Sequence, residues 1–308
     1  MTTSPQVAAD GLTLAPARIR SRRRKVTRTL LLCVLYLMLI AGAVAFIFPF
    51  VWSILSSLKG RSEIEQFPPS ILPYAPHFEN YVVIWTRQPF HRFFINSAVV
   101  SVVCTAVAVF TSALAGYAFA HLSFPGKRAA FVGIIATLMV PFQAIMIPLY
   151  LFANELGLVN THLGIMLPTL VSAWGIFLVR QYMLSVHPDY LSAARIDGAG
   201  EFMIFRNVVV PQSMPVLGVL TLFHFIFTWN NFLWPLLVIN DEAMKTIPLA
   251  ISHWRLHGGT TYTVVTDFSR LGGSIAMSLV ALIPILIVFF LCEKHITSGF
   301  QLSGLKGV

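Results

Sequence analysis

Residues 29–58 read TLLLCVLYLMLIAGAVAFIFPFVWSILSSL and contain no Asp, Glu, Lys or Arg. A helix of about 20 apolar residues is long enough to cross the roughly 30 Å hydrocarbon layer of a bilayer. Inside lipid the backbone must satisfy its own hydrogen bonds, so a segment of this kind forms a helix. This stretch therefore predicts a membrane-spanning helix, preceded by a basic tail over residues 1–28.

Further stretches of at least 22 residues also lack a formal charge, and they cover 93–120, 129–154, 156–179, 207–240 and 271–292. Each is long enough to cross the hydrocarbon layer as a helix. Prolines such as Pro141 free a backbone carbonyl and bend a membrane helix. The pattern predicts an all-α polytopic membrane protein with six transmembrane helices, one for each stretch, in a domain over residues 29–308.

The composition excludes two other classes of protein. Of the 308 residues, 56% are hydrophobic and 11% are charged, whereas a soluble protein averages about 25% charged residues. A water-soluble globule could not cover its surface with so few charges. A disordered chain is excluded as well, because 13% of the residues are aromatic.

The distribution of charge predicts the orientation. Six crossings place both termini on one side of the membrane. The segments on that side hold 14 basic and 5 acidic residues, and the segments on the other side hold 7 of each. Cytoplasmic loops carry the excess of Lys and Arg, so both termini are predicted to be cytoplasmic. The net charge of +9 then reflects orientation and contact with anionic lipid, not nucleic-acid binding.

The six stretches contain no Asp, Glu, Lys or Arg, which bears on the source of energy for transport. Ion-coupled secondary transporters usually keep an ionisable group at membrane depth, so this class is disfavoured but remains an alternative. No GxxxxGK[ST] loop for nucleotide phosphates occurs, and uphill transport would therefore need another polypeptide. A membrane-embedded enzyme is the third class. His253 and His257 are four residues apart with no acidic residue near them, so no metal site is predicted.

One internal loop is suited to docking a partner. Residues 188–211 read PDYLSAARIDGAGEFMIFRNVVVP. Asp189 is predicted to cap a helix over 190–197, and Gly198 to end it in a left-handed conformation. A second helix over 201–209 then enters the membrane near Pro211. Small side chains such as Ala193 would let a partner protein approach the backbone closely.

This loop resembles the EAA loop of ABC-importer permeases, whose pattern is Glu-Ala-Ala, three residues, Gly, nine residues, Ile-x-Leu-Pro. Ala193, Ala194, Gly198 and Pro211 match at the family's spacing, and Ser192 stands where the family has Glu. Other matching segments resemble the carbohydrate-import permeases of the maltose type, and in particular the shorter of their two permease subunits; these segments include Asn96-Ser97, Ala115-Gly116-Tyr117-Ala118 and Trp229-Asn230-Asn231-Phe232.

The resemblance implies a type I ABC-importer permease fold with a common core over about 93–293. It implies a permease subunit that forms half of the pathway of an ATP-driven, binding-protein-dependent sugar importer in the bacterial cytoplasmic membrane. The implied partners are a second permease, two ATPase subunits and an extracytoplasmic solute-binding protein. The chain itself would be no enzyme and hold no cofactor, with ATP and Mg on the ATPases. Contact with the ATPases is expected at Ser192, Ala193, Ala194, Asp197, Gly198 and Pro211.

Three further expectations concern the pathway and the ends of the chain. Aromatic faces and amides suit sugars, so the solute path is expected at Trp229, Asn230, Asn231 and Trp234. The alternative is that the tryptophans belong to an interfacial belt. Contact with the binding protein is expected at Trp254, Arg255, His257 and Tyr262, unless this is an ordinary interfacial loop. The tail over 295–308 is expected to insert between the ATPases or to end as a frayed terminus.

Overall fold

The computed structural model describes residues 15–86, 88–257 and 270–304, and this part of the chain is helical with connecting turns and loops. Internal contacts divide the chain into two compact units, Met1–Leu55 and Ser56–Val308. The described part of the first unit belongs to helix α1, Ala15–Ser57, which starts inside the predicted basic tail. Within Arg28–Ser57, an 18-residue window has a mean hydropathy of 2.8, which is high enough for a membrane span.

The second unit begins with short helices in the proline-rich stretch that follows α1. The helices of this unit, in chain order, are α2 (Arg61–Ile64), α3 (Glu79–Thr86), α4 (Phe90–His121), α5 (Lys127–Thr137), α6 (Phe142–Glu155), α7 (His162–Met166), α8 (Ala173–Met183), α9 (Pro188–Ile196), α10 (Glu201–Ile204), α11 (Val210–Gln212), α12 (Met214–Trp229), α13 (Leu233–Val238), α14 (Ile247–His257) and α15 (Arg270–Gly304).

Four apolar helical segments within the described residues are long enough to cross a membrane, namely Arg28–Ser57, Phe90–His121, Met214–Val238 and Leu271–Ile296. Two bent pairs of helices, α5 with α6 and the segment His162–Thr169 with α8, raise the number to six if each pair is one span. The all-α polytopic fold predicted from the charge pattern is confirmed.

The prediction of one helix for each uncharged stretch is wrong for 129–154, 156–179 and 207–240, the last of which contains α11, α12 and α13. Helices α5 and α6 meet at 95°, and Pro141 starts α6 with an extended backbone at ψ 133°. Proline cannot donate a hydrogen bond and excludes the helical conformation from the residue before it. The second bend, of 42°, is stabilised by Ser172, whose side chain accepts a hydrogen bond from the backbone N–H of Gly175 and so caps α8.

Helix α4 packs against α8, and two glycines allow the close approach. A Cβ atom at Gly116 would lie 2.8 Å from Cγ1 of Val179, and one at Gly175 would lie 2.6 Å from Oγ of Ser112. Around this crossing, buried residues of α4, α8 and α12 form a hydrophobic core that includes Val179 and Leu220. The crossing fixes the end of α4 next to the loop that follows α8.

The histidine inside the fifth uncharged stretch is a packing residue. His224 of α12 is buried, and its Nε2 lies 3.0 Å from the carbonyl oxygen of Thr169. Since a carbonyl can only accept, Nε2 carries the proton and donates. This contact ties α12 to the bend before α8.

Candidate functional site

The helix predicted for partner docking exists, with different limits. It is α9, Pro188–Ile196, and its N-cap is His187, whose Nδ1 accepts a hydrogen bond from the backbone N–H of Asp189 at 3.4 Å. The prediction that Asp189 is the cap is therefore wrong. Proline has no N–H and a preset φ, so Pro188 takes the first helical position and moves the cap one residue upstream.

The end of α9 follows the prediction for glycine. Gly198 has φ +79°, which L side chains rarely adopt. The backbone N–H of Ala199 donates to Ala194 O at 3.0 Å, and that of Gly198 donates to Arg195 O at 3.1 Å. These two bonds form a Schellman motif, which satisfies carbonyls at the helix end. A Cβ at Gly198 would meet nothing within 4 Å, so the backbone conformation, not space, requires glycine here.

Helix α9 has one buried face and one exposed face. Leu191 is buried, and Ala194 packs against the same core. On the other face Ser192 and Ala193 are exposed, and the side chain of Ile196 is 86% exposed. Small residues beside an exposed apolar side chain form a surface that another protein can approach closely.

A carboxylate that sequence reasoning missed ties α9 to the membrane helices. Oε1 of Glu201 accepts from Nε of Arg195 at 2.9 Å, and Oε2 accepts from Nη2 at 3.3 Å. The hydroxyl of Tyr117, in the last turns of α4, donates to the same Oε2 at 2.5 Å. The opposite charges of Arg195 and Glu201 on either side of the predicted Gly198 turn were a usable signal, but Tyr117 lies 84 residues away in sequence.

Electrostatics support this link. Hydrogen bonds from Arg195 and then from Tyr117 lower the pKa of the Glu201 carboxyl below its usual value. The hydrogen bond to Glu201 raises the pKa of the Arg195 guanidinium. Both groups therefore stay charged at neutral pH, and Glu201 binds α9 and α4 at once.

The re-entry into the membrane is irregular at Pro211. Residues Phe205–Val209 form a π-helical turn, and the N–H of Val210 donates to Phe205 O, five residues back. Proline lacks the N–H that an α-helix would use at position 211. A π turn is the usual adjustment where one residue too many must be accommodated, and such turns are frequent at functional sites. The predicted helix over 201–209 is thus α10 followed by this π turn.

The residues expected along the solute path separate into two kinds. Trp229 and Trp234 are buried, and their indole N–H groups donate to Ala281 O at 3.0 Å and to Gly164 O at 2.8 Å. Asn230 is exposed at the break between α12 and α13, and Asn231 beside it is half-buried. The tryptophans thus pack the core around the break, and the two amides lie at its surface.

The residues expected to contact the binding protein lie in and after α14. Trp254 is buried in a core with Phe90 and Trp229. Arg255 and His257 belong to the last turn of α14, with side chains beyond what the structure describes. Tyr262 lies outside the described residues, as do residues 305–308 of the C-terminal tail. Within the described residues, α15 continues from the last span to Gly304.

An anchor for the loop before α14 was not predicted. Nδ2 of Asn96 donates to Ala243 O at 2.9 Å and to Lys245 O at 3.1 Å. Oδ1 of the same amide lies 3.1 Å from Nε2 of His162. The adjacent Ser97 accepts from the backbone N–H of Ile247 at 2.8 Å. Two neighbouring polar residues of α4 thus fix the loop that leads into α14.

Comparison with known proteins agrees with this geometry. Residues 108–299 match the family described as the binding-protein-dependent transport system inner membrane component. The chain is 32% identical over 265 residues to the arabinooligosaccharides transport system permease protein AraQ of Bacillus subtilis (strain 168), covering 85% of this chain and 91% of AraQ. It is 32% identical over 265 residues to the lactose transport system permease protein LacG of Rhizobium radiobacter, covering 86% and 93%.

The fold has a counterpart among solved structures. One chain in the crystal structure of a bacterial ABC transporter involved in the import of the acidic polysaccharide alginate superposes with a TM-score of 0.74 and 23% sequence identity, covering 87% of this chain and 97% of that one. The resemblance predicted from the EAA loop is confirmed by the family match and by this fold. The chain therefore belongs to the inner membrane components of binding-protein-dependent transport systems, the permeases of ABC importers.

Proposed function

We propose that this chain is one of two permease subunits of an ATP-driven sugar importer in a bacterial cytoplasmic membrane, with both termini in the cytoplasm. The observation that carries this proposal is α9, which presents Ser192, Ala193 and Ile196 outward while Glu201 ties it to α4. A sugar as the solute is supported by relatives named for arabinooligosaccharide and lactose transport. The excess of basic residues on the side of α9 supports the orientation.

Helix α9 is the proposed contact with an ATPase subunit. ATP binding would bring two ATPase subunits together and move the α9 helices of the two permeases with them. A displaced α9 pulls on Glu201, and Glu201 pulls on Tyr117 at the end of α4. The crossing of α4 with α8 at Gly116 is close-packed, so the movement reaches the spans as a displacement of packed helices. In this chain the outer surface of α9 contains Ser192 in place of the motif glutamate, so packing against Ala193 and Ile196 contributes more to this contact.

The proposed solute path uses the break between α12 and α13. Asn230 and Asn231 offer amide donors and acceptors for sugar hydroxyls. Trp229 and Trp234 hold the break in place through their bonds to Ala281 O and Gly164 O. The sugar would contact the amides at the surface and not the buried indoles.

The proposed docking surface for the extracytoplasmic binding protein is the loop and helix between Asp241 and His257, together with Tyr262. Asn96 and Ser97 fix the start of this segment, and Trp254 anchors α14 in the core. Arg255 and His257 are the polar residues proposed to face the partner. On the opposite side of the membrane, the end of α15 and residues 305–308 are proposed to approach the ATPases.

Co-purification tests the proposal. The tagged chain, co-expressed with its proposed ATPase and second-permease partners, is expected to retain the ATPase in detergent. The variant Ala193→Trp is expected to lose it, because a large side chain prevents close approach, whereas Ala136→Trp, exposed on the α5–α6 pair, is the matched control. Retention of the ATPase by Ala193→Trp would contradict the role of α9. Accumulation of sugar on an ion gradient by vesicles that contain this chain alone would establish the secondary-transporter alternative instead.

A further inference from the structure

A cavity lies apart from α9 and from the proposed solute path. It is enclosed by the end of α4, the start of α5 and the end of α8, and its volume is about 540 Å³. Three of its lining residues are cations, Lys127, Arg128 and Arg180. The remaining wall is apolar and follows α5 away from them, through Phe131 and Ile135. The cavity is therefore charged at one end and apolar along its length.

The cations are held in place by neutral groups. Nε of Arg180 donates to Phe119 O at 3.1 Å, and its guanidinium carbon lies 4.0 Å from the ring centre of Phe131. Nζ of Lys127 donates to Leu122 O at 2.7 Å. A carbonyl oxygen and an aromatic face orient a cation without neutralising its charge. Several N–H groups of Arg180 and Lys127 are left to bind something else.

Acidic side chains do not balance this charge. In the part of the chain that the structure describes, the ion pairs involve other residues, namely Arg61, Arg195 and Lys245, together with the contact of His187 with Asp189. Helix α5 also begins here, at Gly126, with no side-chain cap on its first turn, which adds the positive end of a helix dipole. Two fixed cations, Lys127 and Arg180, and the exposed Arg128 beside them therefore call for an anion from outside the chain.

We propose that this cavity binds an acidic phospholipid, with the phosphate of the headgroup against Lys127, Arg128 and Arg180 and an acyl chain along Phe131, Val132 and Ile135. Basic pockets between membrane helices suit anionic lipid headgroups, and the apolar wall accounts for the attached chain. The lipid would lie in the cytoplasmic leaflet, and this placement rests on the orientation given under the proposed function. Phosphate binding itself does not depend on that orientation.

Lipid binding to the full-length chain, measured by native mass spectrometry in mild detergent, tests this site. Dioleoylphosphatidylglycerol is expected to bind more tightly than dioleoylphosphatidylcholine. Since one basic residue near a membrane surface contributes about 1 kcal/mol, each lost cation is expected to weaken phosphatidylglycerol binding about fivefold. The double variant K127Q/R180Q is then expected to lose about 25-fold. R128Q removes one exposed charge. It therefore tests the effect of a single lost cation on lipid binding without disturbing a packed side chain.

Two matched variants separate this cavity from general attraction of lipid to a basic surface. R206Q removes an exposed charge outside the cavity and is expected to leave binding unchanged. V132W keeps every cation and fills the space along the apolar wall. It is therefore expected to weaken binding of the diacyl lipid while leaving co-purification of the ATPase unchanged. Co-purification also distinguishes failure of this site from failure of the proposed function.

Three results would overturn the proposal. The first is equal phosphatidylglycerol binding by the wild type and K127Q/R180Q. The second is displacement of the lipid by inorganic phosphate at equal concentration, which would make this a site for free phosphate. The third is displacement of the lipid when the ATPase assembles with the chain, which would assign the cations to a protein contact.

Discussion

The hydroxyl of Tyr117 donates to the same carboxylate oxygen of Glu201 that lies 3.3 Å from Nη2 of Arg195. One exposed carboxylate thereby connects the proposed coupling helix α9 with the end of α4. The Arg195–Glu201 pair is about half exposed, so its value for stability is small. Its position, between α9, the proposed contact with an ATPase subunit, and α4, which crosses the membrane, would make it a mechanical connection in the proposed function.

Glu201→Gln is expected to uncouple transport from ATP hydrolysis. The amide loses the charge that holds Arg195 and accepts more weakly from Tyr117, so α9 moves without pulling α4. The free energy of unfolding should fall by less than about 1 kcal/mol. The measurement is the number of sugar molecules imported per ATP in proteoliposomes of the whole transporter. The control is Glu65→Gln, which removes the exposed Arg61–Glu65 pair. An unchanged ratio in Glu201→Gln would contradict a role of Glu201 in coupling.

The Glu201 link should also respond to acid. Its pKa is lowered in the folded state, so its stabilising contribution is complete above the unfolded value of about 4.3 and is lost as the pH falls through the lower folded value. The difference in thermal unfolding temperature between wild type and Glu201→Gln should therefore be constant from pH 7 to 5, shrink as the pH falls below about 4.3, and vanish only below the lower folded pKa. A difference that already disappears near pH 6 would contradict a lowered pKa.

Gly198→Val is expected to insert normally and to lose coupling. Its φ of +79° costs an L side chain about 1–2 kcal/mol, so the Schellman motif opens and α9 changes direction. Gly198→Asn is the matched control, because Asn tolerates the left-handed conformation and space is open around Cβ. The ratio of uptake to ATP hydrolysis should fall in the first variant and stay near wild type in the second. Equal ratios of uptake to ATP hydrolysis in the two variants would show that the left-handed turn at Gly198 is not needed for coupling.

Two glycines in membrane helices should respond in opposite ways to alanine. Gly116→Ala places Cβ against Val179 and the backbone N of Arg180, and overpacking of this kind costs about 1–3 kcal/mol. Gly133→Ala meets nothing within 4 Å and should be neutral or slightly stabilising, since alanine favours helix. Thermal unfolding in lipid nanodiscs measures both. Equal effects of the two variants would mean that the α4–α8 crossing is looser than described.

Asn96→Ala is expected to release the loop that precedes α14. The change leaves the carbonyls of Ala243 and Lys245 without their donor, which costs about 1–3 kcal/mol. Stimulation of ATP hydrolysis by the solute-binding protein should fall as well, since the proposed docking surface loses its support. The exposed Asn154 provides the control Asn154→Ala. If the binding protein still stimulates ATP hydrolysis fully in Asn96→Ala, then this loop is not needed for docking.

Local residues made part of the site predictable. The turn at Gly198 follows from the need for a positive φ, and the exposed small residues of α9 follow from their spacing. The cap at His187 was missed because Asp189 is the stronger capping residue by type, while Pro188 decides the position. Pro141 predicts a bend but not the 95° break between α5 and α6, because proline marks where a helix is disturbed and not by how much. The burial of Trp229 and Trp234 depends on partners at Ala281 and Gly164.

The sequence alone determined that the chain spans a membrane as helices, because charge and hydropathy along the chain set the cost of entering lipid. The tertiary structure decided which of these helices touch and which polar groups meet. The Asn96 amide donates to carbonyls that are 147 and 149 residues away in sequence. The Tyr117 hydroxyl donates to Glu201, 84 residues away, and Arg180 donates to Phe119 O, 61 residues away. Such pairings arise only when whole helices pack, and no local pattern specifies them.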